Sequence, residues 1–248
     1  AVTAHSGGSG MGRGGKEQHQ HRVPMTRGLG LRFALLTGMA IGLVGLSALI
    51  QELQAASTAW IAGQGHWSRG QQDATAALSR YLARGAAHDL EDARRALQVP
   101  LGDLHARLAL EQPQPDEAQA REGFLRGGNA RSDVSRLIFS FRYARDLGEF
   151  REATRLWRQT DAHLLAMQAL IEELEKVPPE ALQQPSVRDR YMQRVHDVDL
   201  QLQSQAEAFS QALLRMAHTV RIATLIVGGF SVLAITLMGQ FGHHLWTP

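Results

Sequence analysis

Ile222-Ala-Thr-Leu-Ile-Val-Gly-Gly-Phe-Ser-Val-Leu-Ala-Ile-Thr-Leu-Met-Gly-Gln-Phe-Gly242 runs for twenty-one residues without a charge. About 20 apolar residues in a helix, at ~1.5 Å each, cover the hydrocarbon core of a bilayer. A second uncharged stretch, Phe33 to Gln51, is bracketed by Arg32 and Glu52. One such stretch is compatible with the buried helix of a soluble protein. Two of them, with a long polar segment between, predict transmembrane helices at 33–51 and 221–242. The intervening segment, 52–220, has the size of an ordinary domain and can bury a core.

The charge of the chain is placed unevenly. Arg13, Lys16, Arg22, Arg27 and Arg32 stand against Glu17 alone in residues 1–32, whereas residues 52–220 carry 20 basic and 23 acidic side chains. A basic flank beside a first span is a topology signal rather than a nucleic-acid footprint. It predicts a disordered cytoplasmic tail over 1–32, a periplasmic domain over 52–220 and a short cytoplasmic end over 243–248. The setting implied is a bacterial inner membrane, with the lipid bilayer as a partner and no nucleic acid. The absence of cysteine excludes disulfides, thiolate metal sites and cysteine catalysis. The apolar run 33–51 is longer than a signal-peptide core and reads as a retained anchor. Ala34, Gly38 and Gly42 recur every four residues, a small-residue face that lets membrane helices approach closely. That spacing predicts a homodimer.

The first helix is expected to continue out of the membrane. Leu53, Trp60, Trp67, Ala74 and Tyr81 fall seven apart and make one apolar stripe ending near Gly85. Gly63, Gly65 and Gly70 weaken it, each by about 1 kcal/mol relative to Ala. Helices are then expected over 89–98, 103–111 and 116–126, separated by the turn Val99-Pro100-Leu101-Gly102-Asp103 and the joint Gln112-Pro113-Gln114-Pro115-Asp116, with Asp103 and Asp116 as caps. Ser132 is placed to cap a helix to about Asp146. A longer helix is expected over 149–177, up to the break at Pro178-Pro179. From Ser186 a stripe through Val195, Val198, Leu202, Ala206, Phe209, Leu213, Met216 and Val220 steps by three or four directly into Ile222. No segment alternates like a strand. The fold class is therefore all-α: two transmembrane helices flanking an elongated periplasmic helical bundle.

No phosphate-binding loop, zinc-protease motif or nucleophile elbow occurs, so no catalytic residue, cofactor or metal site is assigned. The histidines of the tail and those on helices read as solvated or packed residues. Ligand candidates are basic and aromatic groups near the irregular joints: Arg80, Tyr81, Arg107, Phe124, Asn129, Arg142, Trp157 and Asp161. An arginine beside an aromatic wall suits a small periplasmic anion or carboxylate. In the competing interpretation Phe124 and Trp157 are core residues and Arg107 and Arg142 pair with acidic neighbours.

Val99-Pro100-Leu101-Gly102-Asp103, Ala106-Arg107-Leu108-Ala109-Leu110, Pro113-x-Pro115-Asp116, Gly123-Phe124-Leu125-x-Gly127-Gly128-Asn129 and Trp157-Arg158-x-x-Asp161 together resemble the helical periplasmic sensor region found ahead of bacterial signalling modules. The resemblance covers roughly Trp60 to Phe209. It implies a region held between two membrane helices and followed by an output such as a PAS domain with a diguanylate cyclase, or a histidine kinase. This sequence holds neither a Gly-Gly-Asp-Glu-Phe motif nor a kinase histidine box, so no enzymatic activity carries over. The expected function is a sensor or receptor domain, with a two-span scaffold protein as the alternative.

Overall fold

A computed structural model describes residues 25–246, and all regular structure among them is helical. The element order is α1 (Met25–Arg84), α2 (Ala87–Glu111), α3 (Glu117–Arg126), α4 (Arg131–Ala144), α5 (Gly148–Gln159), α6 (Asp161–Leu174), α7 (Pro179–Leu182) and α8 (Pro185–Trp246). The chain forms two units, residues 1–42 and residues 43–248. In the first, the described side chains are those of the start of α1, where Phe33, Leu35 and Ile41 are exposed. Of the tail expected to be disordered over 1–32, residues 1–24, with His5, His19 and His21, lie outside the described residues, and residues 25–32 are helical as the start of α1.

Only 6% of the most apolar stretch of α1, and 6% of that of α8, is buried. Leu225, Phe230, Val232 and Ile235 stand exposed along the second stretch. A core helix of a soluble protein hides its apolar side chains. These two helices do not, and both are long and apolar enough to cross a membrane.

In the second unit, two apolar clusters follow one another along α1 and α8. One gathers Trp67, Ala74, Leu78 and Tyr81 of α1 with Leu97 and Leu101 of α2, Leu164 and Met167 of α6, and Val195 and Leu202 of α8. The other gathers Trp60, Phe124 of α3, Phe141 of α4, Phe150 and Trp157 of α5, and Phe209, Leu213 and Met216 of α8. The seven-residue stripe of α1 and the three-four stripe of α8 are thus the faces that fill the core.

Three helix boundaries differ from those expected. The turn at 99–103 does not form: α2 runs through Pro100. Proline removes the amide that would have bonded the carbonyl of Ala96 and crowds that carbonyl, yet the helix continues, and α1 comes in closely at that point. A Cβ on Gly70 would lie 2.9 Å from the Ala96 carbonyl oxygen and from Pro100. Asp103 is consequently not a cap but a buried side chain in mid-helix. The helix expected over 149–177 is divided at Thr160, whose hydroxyl donates to the carbonyl of Trp157 at 2.8 Å. No glycine or proline marks that break. At the start of α4 the cap position is Ala130, with no side-chain bond, and the Ser132 hydroxyl turns instead to Asp133. Asp116, in contrast, does cap α3, accepting from the amide of Gln119.

The closest helix contact joins α2 to α3 through glycines. A Cβ on Gly102 would meet the Gly127 amide at 2.6 Å and the Gly123 carbonyl oxygen at 2.7 Å. One on Gly123 would meet the amide of Ala106 at 2.7 Å. All of these are backbone atoms with little freedom to move. Gly123→Ala is therefore expected to destabilise the protein by about 1–3 kcal/mol, read from thermal unfolding in detergent. Gly65→Ala, in mid-helix with nothing within 4 Å, should stabilise it by up to ~1 kcal/mol.

Candidate functional site

The motifs scattered along the sequence converge where α2 passes α3, α5 and the start of α6. Arg107, on α2, is almost wholly buried, with 1% of its side chain exposed. Its Nη1 donates to Glu111 Oε2 at 2.9 Å, and its Nη2 donates to Asp161. Arg158 donates to the other oxygen of Glu111 at 2.8 Å. The guanidinium lies 5.4 Å from the centre of the Trp157 ring, a cation–π contact worth on the order of 2 kcal/mol when desolvated. Trp157 in turn meets Phe124 at 6.5 Å and Trp60 at 5.6 Å. Burial raises the Asp161 carboxyl above its ordinary range; Arg107 opposes that shift, and Glu111, a second carboxylate on the same guanidinium, adds to it.

One turn earlier on α2 lies a second buried polar pair. Asn129 donates through Nδ2 to Asp103 Oδ1 at 2.8 Å and to the Phe124 carbonyl at 3.0 Å. Its Oδ1 would lie 2.8 Å from a Cβ on Gly63, so any larger residue at that level of α1 would make the Asn129 amide shift. Gly128, beside Asn129, has φ +79°, a left-handed conformation that favours glycine. Burial pushes the Asp103 carboxyl well above the usual carboxylate range, against the opposing effect of the Asn129 amide. Asp103, Asn129, Trp60, Trp67 and Trp157 share the wall of a cavity of about 20 Å³. That is room for about one water molecule and nothing larger.

Arg107, Phe124, Asn129, Trp157 and Asp161 of the sequence candidates are thus brought together. The other three are elsewhere. Arg80 donates to Asp89 at 2.9 Å beside the α1–α2 turn, and Tyr81 is buried in the other cluster. Burial tends to raise the Asp89 carboxyl, but the hydrogen bond from Arg80 and the charges of Arg84 and His88 outweigh it and hold the group low. Arg142 pairs with Glu117 at the surface. Phe124 and Trp157 are core residues, and Arg107 and Arg142 are paired with acidic neighbours, as the competing interpretation had it. Gly38 and Gly42 face open space in the single chain. Among the described residues no group of three His, Asp or Glu is placed to hold a metal ion.

Ligand-sized space lies instead along the seam of α1 and α8. A groove of about 510 Å³ is lined by Thr75, Ser79, His196 and Asp199 among others. Another of about 440 Å³ is lined by Gln64, Gln71, Gln203 and Glu207 among others. Between them Asp199 Oδ1 accepts from Gln71 at 2.6 Å and from Thr75 at 2.9 Å, bonding the two long helices to each other. Sequence reading passed over this seam because glutamine and threonine between apolar stripes look like solvated faces. It also passed over Asp103 and Glu111. Both stand four residues from Arg107 inside the helix expected over 103–111; reading Asp103 as a cap hides the first, and spacing alone does not fix which acidic neighbour Arg107 meets.

No protein-family model matches the chain, and neither a curated protein nor a solved structure is detectably similar to it.

Removing Arg107 leaves two carboxylates on a vacated buried site. Arg107→Ala is expected to cost about 3–5 kcal/mol, whereas Arg142→Ala should change stability by less than ~1 kcal/mol; thermal and denaturant unfolding read both. Asp103 gives a pH signature. Its folded-state carboxyl holds a proton more tightly than the unfolded chain does, so stability falls as pH rises from the unfolded value near 3.8 toward the raised folded one. Asp103→Asn should flatten that part of the stability profile, measured as the unfolding midpoint against pH.

Proposed function

We propose that this chain is a membrane-bound sensor or receptor domain, with residues 52–220 in the periplasm and α8 carrying the response inward. The supporting observation is continuity. α8 packs Val195, Leu202, Phe209 and Met216 into the core and then runs, as one helix, through the apolar stretch from Ile222. A stimulus that shifts or rotates α8 in the core has a rigid path to the far side of a bilayer, and small helix shifts are an established switching mode. The seam of α1 and α8 supports the same reading, since Asp199, Gln71 and Thr75 make a breakable contact flanked by open grooves. The ligand-sized space there makes the seam a better entry point for a stimulus than Arg107, whose Nη1 and Nη2 are already directed at carboxylates and whose site has no such space. The alternative, a two-span scaffold protein, would use the same core as a static support.

Helical phase separates the two. The chain is fused after Trp246 to a dimeric histidine-kinase output. One extra residue inserted after Val220 turns everything beyond by about 100°, and seven extra residues nearly restore the phase. A sensor predicts altered basal output from the single insertion and near-normal output from seven. Output indifferent to phase, and to any stimulus screened, would favour the scaffold.

A further inference from the structure

We propose that the elbow between α4 and α5 is a lipid-contacting surface, seated on the headgroup layer on the side where α1 leaves and α8 enters the membrane. The inference rests on the membrane-span reading of α1 and α8 given above. Glu52 is the first charge beyond the apolar run of α1, and Arg136 of α4 lies 3.2 Å from it. Trp60 donates to Ser140 of α4 at 2.9 Å. Glu52 and Trp60 bracket α4 within about 12 Å of the apolar boundary along α1. On the other helix, Arg215 faces Glu149 of α5 at 3.8 Å, about 10 Å along α8 from Ile222. The elbow is thereby held near both membrane ends.

Its outer surface sets large apolar side chains among the charged Arg142, Arg145, Asp146 and Glu149, the mixture found at a headgroup layer. Tyr143 and Leu147 are each 62% exposed and Phe139 is 41% exposed. The rings of Phe139 and Tyr143 meet at a tilt of 48° with centroids 5.0 Å apart, and the guanidinium of Arg142 lies 5.4 Å from the Tyr143 centroid. Aromatic rings with a polar tip, and arginines with apolar stems, are the side chains that settle at the boundary of headgroups and acyl chains. The headgroup layer on one side of a bilayer is roughly 5–8 Å deep, within reach of a tyrosine or leucine side chain at that height.

The chain has no cysteine, so single labels can be placed without removing native residues. Tyr143→Cys, Leu147→Cys, Met192→Cys and Leu233→Cys proteins, full length in lipid nanodiscs, each carry an environment-sensitive fluorophore. The nanodisc lipids bear a nitroxide quencher either near the headgroup or near the acyl terminus. Labels at 143 and 147 are expected to emit blue-shifted light and lose it to the headgroup quencher. The label at 192, some 45 Å along α8 from Ile222, should lose none, and that at 233 should be quenched by the acyl-terminal nitroxide. If 233 is quenched while 143 and 147 behave like 192, the elbow does not touch lipid and the inference is overturned while the spans stand. If 233 escapes both quenchers, the span reading itself has failed. Protection of 143 that grows with protein concentration and ignores the lipid quencher would assign the surface to a second copy and overturn the proposal.

Discussion

Trp60 of α1, Trp157 of α5 and Phe209 of α8 form a mutually touching triangle, with centroid separations of 5.6, 6.2 and 6.5 Å. The rest of the second unit depends on this contact. α1 and α8 each continue into an apolar stretch that is almost wholly exposed, so among the described residues the faces that hold them together lie chiefly between Ile50 and Val220. Aromatic contacts of this kind contribute about 0.5–1.5 kcal/mol per pair beyond the area they bury. Phe141 and Phe150 complete the cluster around Trp60, so α4 and α5 are fixed by the same side chain that anchors α1 to α8.

The buried charges are built onto that aromatic frame. Arg107 uses the buried Trp157 ring of the cluster as one wall and two carboxylates as another. Burying a guanidinium is costly unless it is paired, and burial first, with a smaller push from Glu111, raises the Asp161 carboxyl against the pull of Arg107. The Asp103–Asn129 pair likewise spends a carboxyl in a place where an apolar side chain would pack at less cost. Such polar groups fix which surfaces meet: α2 against α3 at Gly102 and Gly123, and the loop at Asn129 against Gly63 of α1. A second clasp lies at the other end of the unit, where Arg194 and then Tyr191 hold the Glu173 carboxyl down at about 2.

Much of the fold is legible in the sequence because it is periodic. The seven-residue spacing of Trp60, Trp67, Ala74 and Tyr81 and the stripe from Val195 to Val220 each specify a helix face, and both faces are buried. Proline and glycine punctuation is less reliable. Pro178-Pro179 does break the chain, but Pro100 does not, because α1 fits its Gly70 against the very turn that proline disturbs. The break at Thr160, where both its amide and its hydroxyl bond the Trp157 carbonyl, carries no composition signal. Of the site candidates, Arg107, Phe124, Asn129, Trp157 and Asp161 share one place, while Arg80, Tyr81 and Arg142 do not join it. Arginine next to a turn is common, and which carboxylate it meets is decided by long-range packing that local sequence does not encode.

The account turns on α8 being one helix that passes from a protein core into lipid without a break. Spin labels placed singly from Phe209 to Leu237, in bilayers, test this directly through their collision rates with oxygen and with a water-soluble nickel chelate. The account predicts nickel access with a helical period up to Val220, then nickel exclusion and high oxygen access from Ile222 to Leu237, with the helical phase unchanged across Arg221. Nickel access within 222–237, or a jump in phase at Arg221, would contradict it.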